Sequence, residues 1–409
     1  MSPLPFLILV YFAAFAVLAW RKPRLAALLV LFTLPAYVLR FRLFGVPTTF
    51  LEGMILVLFF VTVFRAVVER RVLRISRFWP LALAFLFIGI LGVVVSPVTL
   101  AALGLYKAYI IDPILFYFVL VNTFEKEDLP LMWNVLGWSA LVLTAVTVAQ
   151  YVSGWGIPEV WRMWPDRRAT GVFPFPNAVG LYLAPVVALH IGRLILTPHQ
   201  ALTRQGRAFA AAVVGFGVLA MLAARTEGAV AAVVVTAVCA GWFTRRRGWY
   251  VGAFVVLAVV ALAVPMTRDI LLFRDVSGDV RLALWQGTGN LLAARPWRGA
   301  GLSGFPTVYA EYKLDKHVEL LQYPHNIFLD FWVELGILGL AWLLATLLIY
   351  WRSLLGWYRA RQDPEAIILA AVMVAIVVYG IVDVPYFKND LSVMFWMWLG
   401  SVAILLRKS

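Results

Sequence analysis

Thirteen apolar runs of 15 to 25 residues fill most of this 409-residue chain: 4–20, 25–39, 50–67, 79–97, 101–121, 131–152, 177–198, 208–224, 228–243, 249–265, 326–350, 365–382 and 391–406. About 20 such residues carry an α-helix across the hydrocarbon core of a bilayer. Backbone polar groups in hydrocarbon need partners within the segment, and a helix supplies them. The runs predict an all-α polytopic membrane protein with 12–13 transmembrane helices, the count resting on the two shortest early runs. The first run has no basic residue ahead of it and no small-residue cleavage site behind it, so it reads as a span rather than a removable signal. The chain is 63% hydrophobic and 14% charged, whereas soluble domains carry about 25% charged residues. A water-soluble enzyme is excluded. No internal repeat, low-complexity tract or soluble domain interrupts the pattern, and 1–409 reads as a single transmembrane domain.

The formal charge of +14 suggests nucleic acid until topology is considered. With the C-terminal Arg407 and Lys408 cytoplasmic, the loops on that side hold 20 of the 35 basic residues and 6 of the 21 acids. The other face is then formally neutral. The whole excess is the signal that retains Lys and Arg on the cytoplasmic side, and no nucleic-acid partner is needed. The partner this charge implies is the lipid bilayer. The single cysteine, Cys239, allows no intrachain disulfide or thiol metal site.

Two connections on the non-cytoplasmic face are long, 153–176 and 266–325, and function is expected to concentrate there. The larger contains a helical stretch at 279–294, with Asp279 as its cap and Val280, Leu284, Leu291 and Leu292 on one side. Pro296 ends it. An amphipathic helix at that place would lie on the membrane surface and roof a cavity between the spans. The chain has no phosphate-binding G-x-x-x-x-G-K-[ST] loop, H-E-x-x-H, G-x-S-x-G, paired CxxC or Asp-x-Asp. Neither ATP nor nucleotide-sugar chemistry is expected, and no metal or cofactor is assigned.

What remains is an ordered set of basic and polar segments at the outer boundary. RLALW (281–285) is followed by RPWRGAGLSGF (295–305), then by YPHN (323–326) and ELGILG (334–339). Ahead of them lie KAYIIDP (107–113), RATG (168–171) with Pro176 and Asn177, and ARTEG (224–228); behind them lies DVPYFKND (383–390). In order and spacing the set resembles the O-antigen ligase and polymerase superfamily over most of the chain from residue 50 onward. One departure stands out. Where many members carry Ser-Arg-Gly, this chain has Thr226-Glu227-Gly228, and its arginine lies two positions earlier at Arg225.

The resemblance implies a GT-C-like architecture and transfer of a glycan from an undecaprenyl-diphosphate donor to an acceptor sugar hydroxyl, without metal or nucleotide. The reaction would take place on the periplasmic side of the bacterial inner membrane. A ligase hands the glycan to lipid A-core, a polymerase to another carrier-linked repeat, and a third relative to a protein Ser or Thr; the loop and the His-Asn pair resemble the ligase branch. The residues suit this chemistry. Guanidinium forks match phosphate oxygens bidentately, so Arg281, Arg225 and Arg168 are expected to hold the departing diphosphate. His325 is the candidate general base, because an imidazole titrates near neutrality and the positive end of the following helix favours its neutral form. Asn326, Lys107 and Trp285 complete the substrate-binding set, and Trp161, Trp164 and Trp297 could stack on sugars.

Each residue also has a structural reading. His325 can be a capping residue, Arg225 can snorkel to headgroups, and Arg168 with Arg162 and Arg167 can meet anionic lipid. Glu334 is expected to bond a neighbouring helix, Lys107 to pair with Asp112, and Gly336 and Gly339 to pack helices closely. His190, His199 and His317 read as structural. From another functional class, a transporter of the same lipid-linked glycan would place charges at the midplane and show repeated halves; the one-sided charges and lack of a repeat favour an enzyme.

Overall fold

In the computed structural model, which describes residues 4–407 apart from Phe44, His199 and 317–320, every one of the thirteen apolar runs is helical. The chain is an all-α polytopic membrane protein. Six helices are long and apolar enough to cross a bilayer, among them Phe50–Val68, Asn177–Leu196 and Ile327–Arg361. Arg247–Ala263 makes a seventh if it is joined to Pro265–Ala294 across a 104° bend, and six further apolar helices span 10 to 17 residues. Against the expected 12–13 spans, the described residues therefore give six helices of spanning length, or seven with the bent pair. One hairpin, Arg40–Leu43 against Val46–Thr49, was not foreseen; it leads into Phe50–Val68, whose start is closed by a capping box between Thr49 and Glu52.

Two helices form the buried axis. Asn177–Leu196, apolar on all sides, is enclosed by Arg204–Ala223, Glu227–Trp242 and Pro364–Gly380. Asn389–Leu405 is buried along its whole length and packs on Asp112–Thr123. A π-turn at Lys107–Ile111 precedes the latter helix. Pro113 has no N–H to give to the Tyr109 carbonyl one turn back, and the Tyr386 hydroxyl donates to that oxygen instead, at 2.9 Å. The proline thereby ties this span to the segment just before Asn389–Leu405.

The 266–325 connection contains the expected helix, longer by a turn: Val276–Ala294. Its cap is Asp275, whose carboxylate accepts from Gly278 N, and not Asp279, which pairs with Lys316 in the first turn. Leu284, Leu291 and Leu292 pack on Phe305, Val308, Tyr309 and Val333. Beyond it the glycine-rich turn locks onto a break in Ile327–Arg361. At Gly336 (φ 67°) the helix loses its own hydrogen bond. Ile337 N donates to Trp297 O at 3.3 Å, and the freed Val333 O accepts from Ala300 N at 2.8 Å and Gly301 N at 3.2 Å. Glu334 caps the same turn by accepting from Ser303 N, 2.6 Å, rather than bonding a helix. So the Gly336 requirement is for backbone contact with a loop, not for helix packing. A methyl at Gly299 would collide with Val333 O, and one at Gly336 with Trp297 O. Both sites also hold positive φ. Gly299→Ala and Gly336→Ala are each expected to destabilise by about 1–3 kcal/mol, read as a lowered Tm of the detergent-solubilised protein; unchanged melting would refute the locking role.

Candidate active site

The ends of several helices meet at one face and bring together residues far apart in the chain. His325 stands immediately before Asn326, the N-cap of Ile327–Arg361, in a left-handed backbone conformation (φ 50°) that non-glycine residues rarely adopt. Its Nδ1 lies 3.4 Å from Asp383 Oδ1, at charge-pair range but without an aligned hydrogen bond. Asp383, on the strap between Pro364–Gly380 and Asn389–Leu405, is only 1% exposed at its side chain. Oδ1 also accepts from Val384 N at 2.8 Å. Oδ2 accepts from Asn177 Nδ2 at 2.9 Å, and Asn177 Oδ1 accepts from Arg168 at 2.8 Å. Arg168, Asn177, Asp383 and His325 therefore form one continuous polar chain.

Electrostatics follow from this arrangement. Burial alone would raise the Asp383 carboxyl, but His325, the Val384 N–H and Arg281 together hold it below the usual carboxylate range. Burial lowers the Arg168 guanidinium, opposed by the negative charge of Glu227. Arg168 is further fixed by the Ala224 and Arg225 carbonyls, at 3.1 Å each, and lies over the Trp161 ring at 5.2 Å. Arg281, half-buried on Val276–Ala294, uses Nε to hold Val382 O at 3.1 Å. Among the described residues its two terminal nitrogens have no hydrogen-bond partner. The Tyr323 ring lies against the imidazole, tilted by 47° with 4.5 Å between centroids, while burial and the negative field of Asp383 push its hydroxyl far above the ordinary tyrosine value.

The other candidates fall in different places. Arg225 is also left-handed (φ 50°), and its guanidinium faces outward to the exposed Asp166, 3.0 Å, and to Pro165 O. Asn326 is fully engaged: Oδ1 caps Phe328 N and Leu329 N, and Nδ2 donates to Ile381 O at 2.9 Å. Trp285 supports the histidine loop by donating to Pro324 O at 2.9 Å. Lys107 is paired with Glu52 at 2.6 Å more closely than with Asp112 at 3.8 Å, within a network that includes Asn389. Arg162 and Arg167 do not join Arg168; they hold the carbonyls of Ile157, Tyr151 and Arg162, and Arg167 lies over Trp164. Trp297 is exposed. His190 is buried inside its helix beside Phe209; His199 and His317, like Lys408, lie outside the described residues.

Sequence reasoning missed Asp383 and Asn177 as site residues. Both lay in segments already singled out, but nothing local marks two side chains 206 positions apart as partners. At the start of the helix that follows His325, the Asn326 side chain accepts from the Phe328 and Leu329 amides, and the Asp383 carboxylate lies beside the imidazole. The arrangement can orient an imidazole through Asp383 and ties it, through Asn177, to the Arg168 guanidinium. Among the described residues no three His, Cys, Asp or Glu side chains gather as a metal site.

Residues 210–344, a third of the chain, match the family model described as O-antigen ligase. The matched stretch contains Arg225, Arg281, the glycine-rich turn, His325 and Gly336; Arg168, Asn177 and Asp383 lie outside it. No curated protein matches the chain.

Proposed function

We propose, from the match of residues 210–344 to the family model described as O-antigen ligase, that this membrane protein is of glycosyl-transferring type and moves a glycan from undecaprenyl diphosphate to a sugar hydroxyl of lipid A-core. The observation that carries the reading is the polar chain Arg168–Asn177–Asp383–His325 ending among arginines. Asp383 holds the Nδ1–H tautomer, leaving the Nε2 lone pair to take the acceptor proton. The acceptor oxygen bonds to the anomeric carbon as the bond from that carbon to the diphosphate oxygen breaks. Arg281, whose two terminal guanidinium nitrogens have no partner among the described residues, and Arg168 stabilise the charge that develops on the leaving diphosphate. Arg225 contributes once its fork exchanges Asp166 for phosphate. The acid that replaces the family's usual arginine, Glu227, balances Arg168 rather than binding donor.

The positive-inside distribution supports a periplasmic position for this face at the bacterial inner membrane, with the C-terminus in the cytoplasm. The loops 153–176 and 266–325 roof the site over the single domain 1–409. The decisive experiment incubates purified protein with undecaprenyl-diphosphate glycan and defined acceptors. Product on lipid A-core supports ligation, longer carrier-linked chains would make it a polymerase, and absence of any covalent product would point to transport. In the same assay Arg281→Lys is expected to reduce kcat/KM about tenfold or more, because an ammonium cannot make the forked contact; wild-type kinetics would remove Arg281 from the donor site.

A further inference from the structure

At the end of the helices opposite His325 lies a second built feature, independent of the transfer reaction. Asn389–Leu405 starts beside the Asp383 strap and finishes near Arg407, whose guanidinium holds Val121 O, Phe124 O and Glu125. Next to that point, between the ends of Leu4–Arg21, Phe50–Val68 and Asp112–Thr123, is a cavity of about 530 Å³. Five cations line it, Arg21, Lys22, Arg24, Arg65 and Arg71, with one acid, Glu125.

The local acids are already taken. Glu125 pairs with Arg74 and Arg407 at 2.6 Å each, Glu69 with Arg65 at 2.7 Å and Arg71 at 3.7 Å, and Asp128 with Arg24 at 3.5 Å. Among the described residues Arg21 and Lys22 have no ion-pair partner. Seven cations around the cavity thus face three acids, an excess that the surrounding protein does not balance. Orientation by positive loops needs only that the charges be on one side; it does not require them to converge on one cavity.

The flank identifies the source of the missing anion. Trp20 and Phe64, 40% and 61% exposed with ring centroids 5.8 Å apart, stand beside the cavity with Leu25, and Arg65 lies over the Trp20 ring at 5.7 Å. A basic hollow with an adjoining exposed apolar strip suits a phosphodiester headgroup with its acyl chains, whereas a free phosphate has no use for the strip. We infer that this cavity is a binding site for an anionic phospholipid, its phosphate held by Arg21, Lys22, Arg24 and Arg71 and its chains along Trp20, Leu25 and Phe64.

The test uses the full chain in phosphatidylcholine vesicles with and without phosphatidylglycerol, counting lipids that stay bound after detergent extraction by native mass spectrometry. Wild type is expected to retain phosphatidylglycerol over phosphatidylcholine, and R21Q/K22Q, which breaks no ion pair, to retain it about tenfold less well. Equal retention of the two lipids, or undiminished retention by the variant, overturns the site. So does stabilisation of the detergent-solubilised wild type by inorganic phosphate that R21Q/K22Q loses, which would make the ligand of this cavity a soluble phosphate. If the double variant does not insert, K22Q alone carries the comparison.

Discussion

His325→Ala is expected to lower transfer about 10²- to 10⁴-fold, the usual contribution of a positioned general base, with membrane insertion and melting close to wild type. The side chain is 20% exposed and lies in a loop, so its removal leaves no large core cavity. Its main contacts are the Asp383 carboxylate and the Tyr323 ring, and Asp383 keeps Asn177 and Val384 N as donors when the imidazole is gone. The fall should appear in kcat more than in donor KM, because the arginines that meet the diphosphate are untouched. Near-normal turnover in this variant would end the assignment of His325 as base, while a protein that no longer melts cooperatively would show that Tyr323 and Asp383 depend on it for packing.

Asp383→Asn is the second large effect. In the Ser-His-Asp arrangement the equivalent change lowers kcat about 10⁴-fold by stabilising the wrong tautomer, and a loss of about 10²- to 10⁴-fold is expected here. The asparagine has the same shape but one acceptor where two are needed. If its oxygen keeps Val384 N and faces His325, its amide group meets the donating Nδ2 of Asn177. If Asn177 then rotates, its own amide group meets Arg168. The misfit therefore travels from the base to the proposed donor site. Turnover near wild type in Asp383→Asn would mean that Asp383 only packs the strap. For stability the sign is set by the depressed Asp383 carboxyl: its contribution is present above the carboxylate range and is lost as pH falls through the native value. Between pH 5 and 8 this group therefore adds no slope to wild-type melting.

How far the sequence could be read varied with the range of the interaction. Helix positions were legible because bilayer thickness imposes a length and hydrocarbon imposes internal hydrogen bonding, both properties of one segment at a time. The 279–294 helix was legible for the same reason, but its cap was not: Asp275 and Asp279 are both capping residues by type, and only the observed backbone selects the first. Gly336 and Gly339 look like a small-residue packing motif in one dimension. In three, Gly336 is the break that gives the turn at Trp297–Gly301 a backbone to bind. Lys107 was expected to pair with Asp112 or to meet substrate, and its nearest partner is instead Glu52, 55 positions away.

By itself the sequence determined that this chain is a helical membrane protein, and it set the expectation that its positive charge lies on one side with Arg168, Arg225, Arg281 and His325 at the outer boundary. These follow from hydropathy and charge, which act residue by residue against a planar solvent. Only the tertiary structure decided which of those groups meet. It turned Arg168 inward and Arg225 toward Asp166, gave His325 a carboxylate partner from the far end of the chain, and gathered Arg21, Lys22 and Arg65 around a cavity. Such pairings depend on how helix ends are brought into register by packing and by backbone contacts between distant segments, and no local pattern encodes that distance.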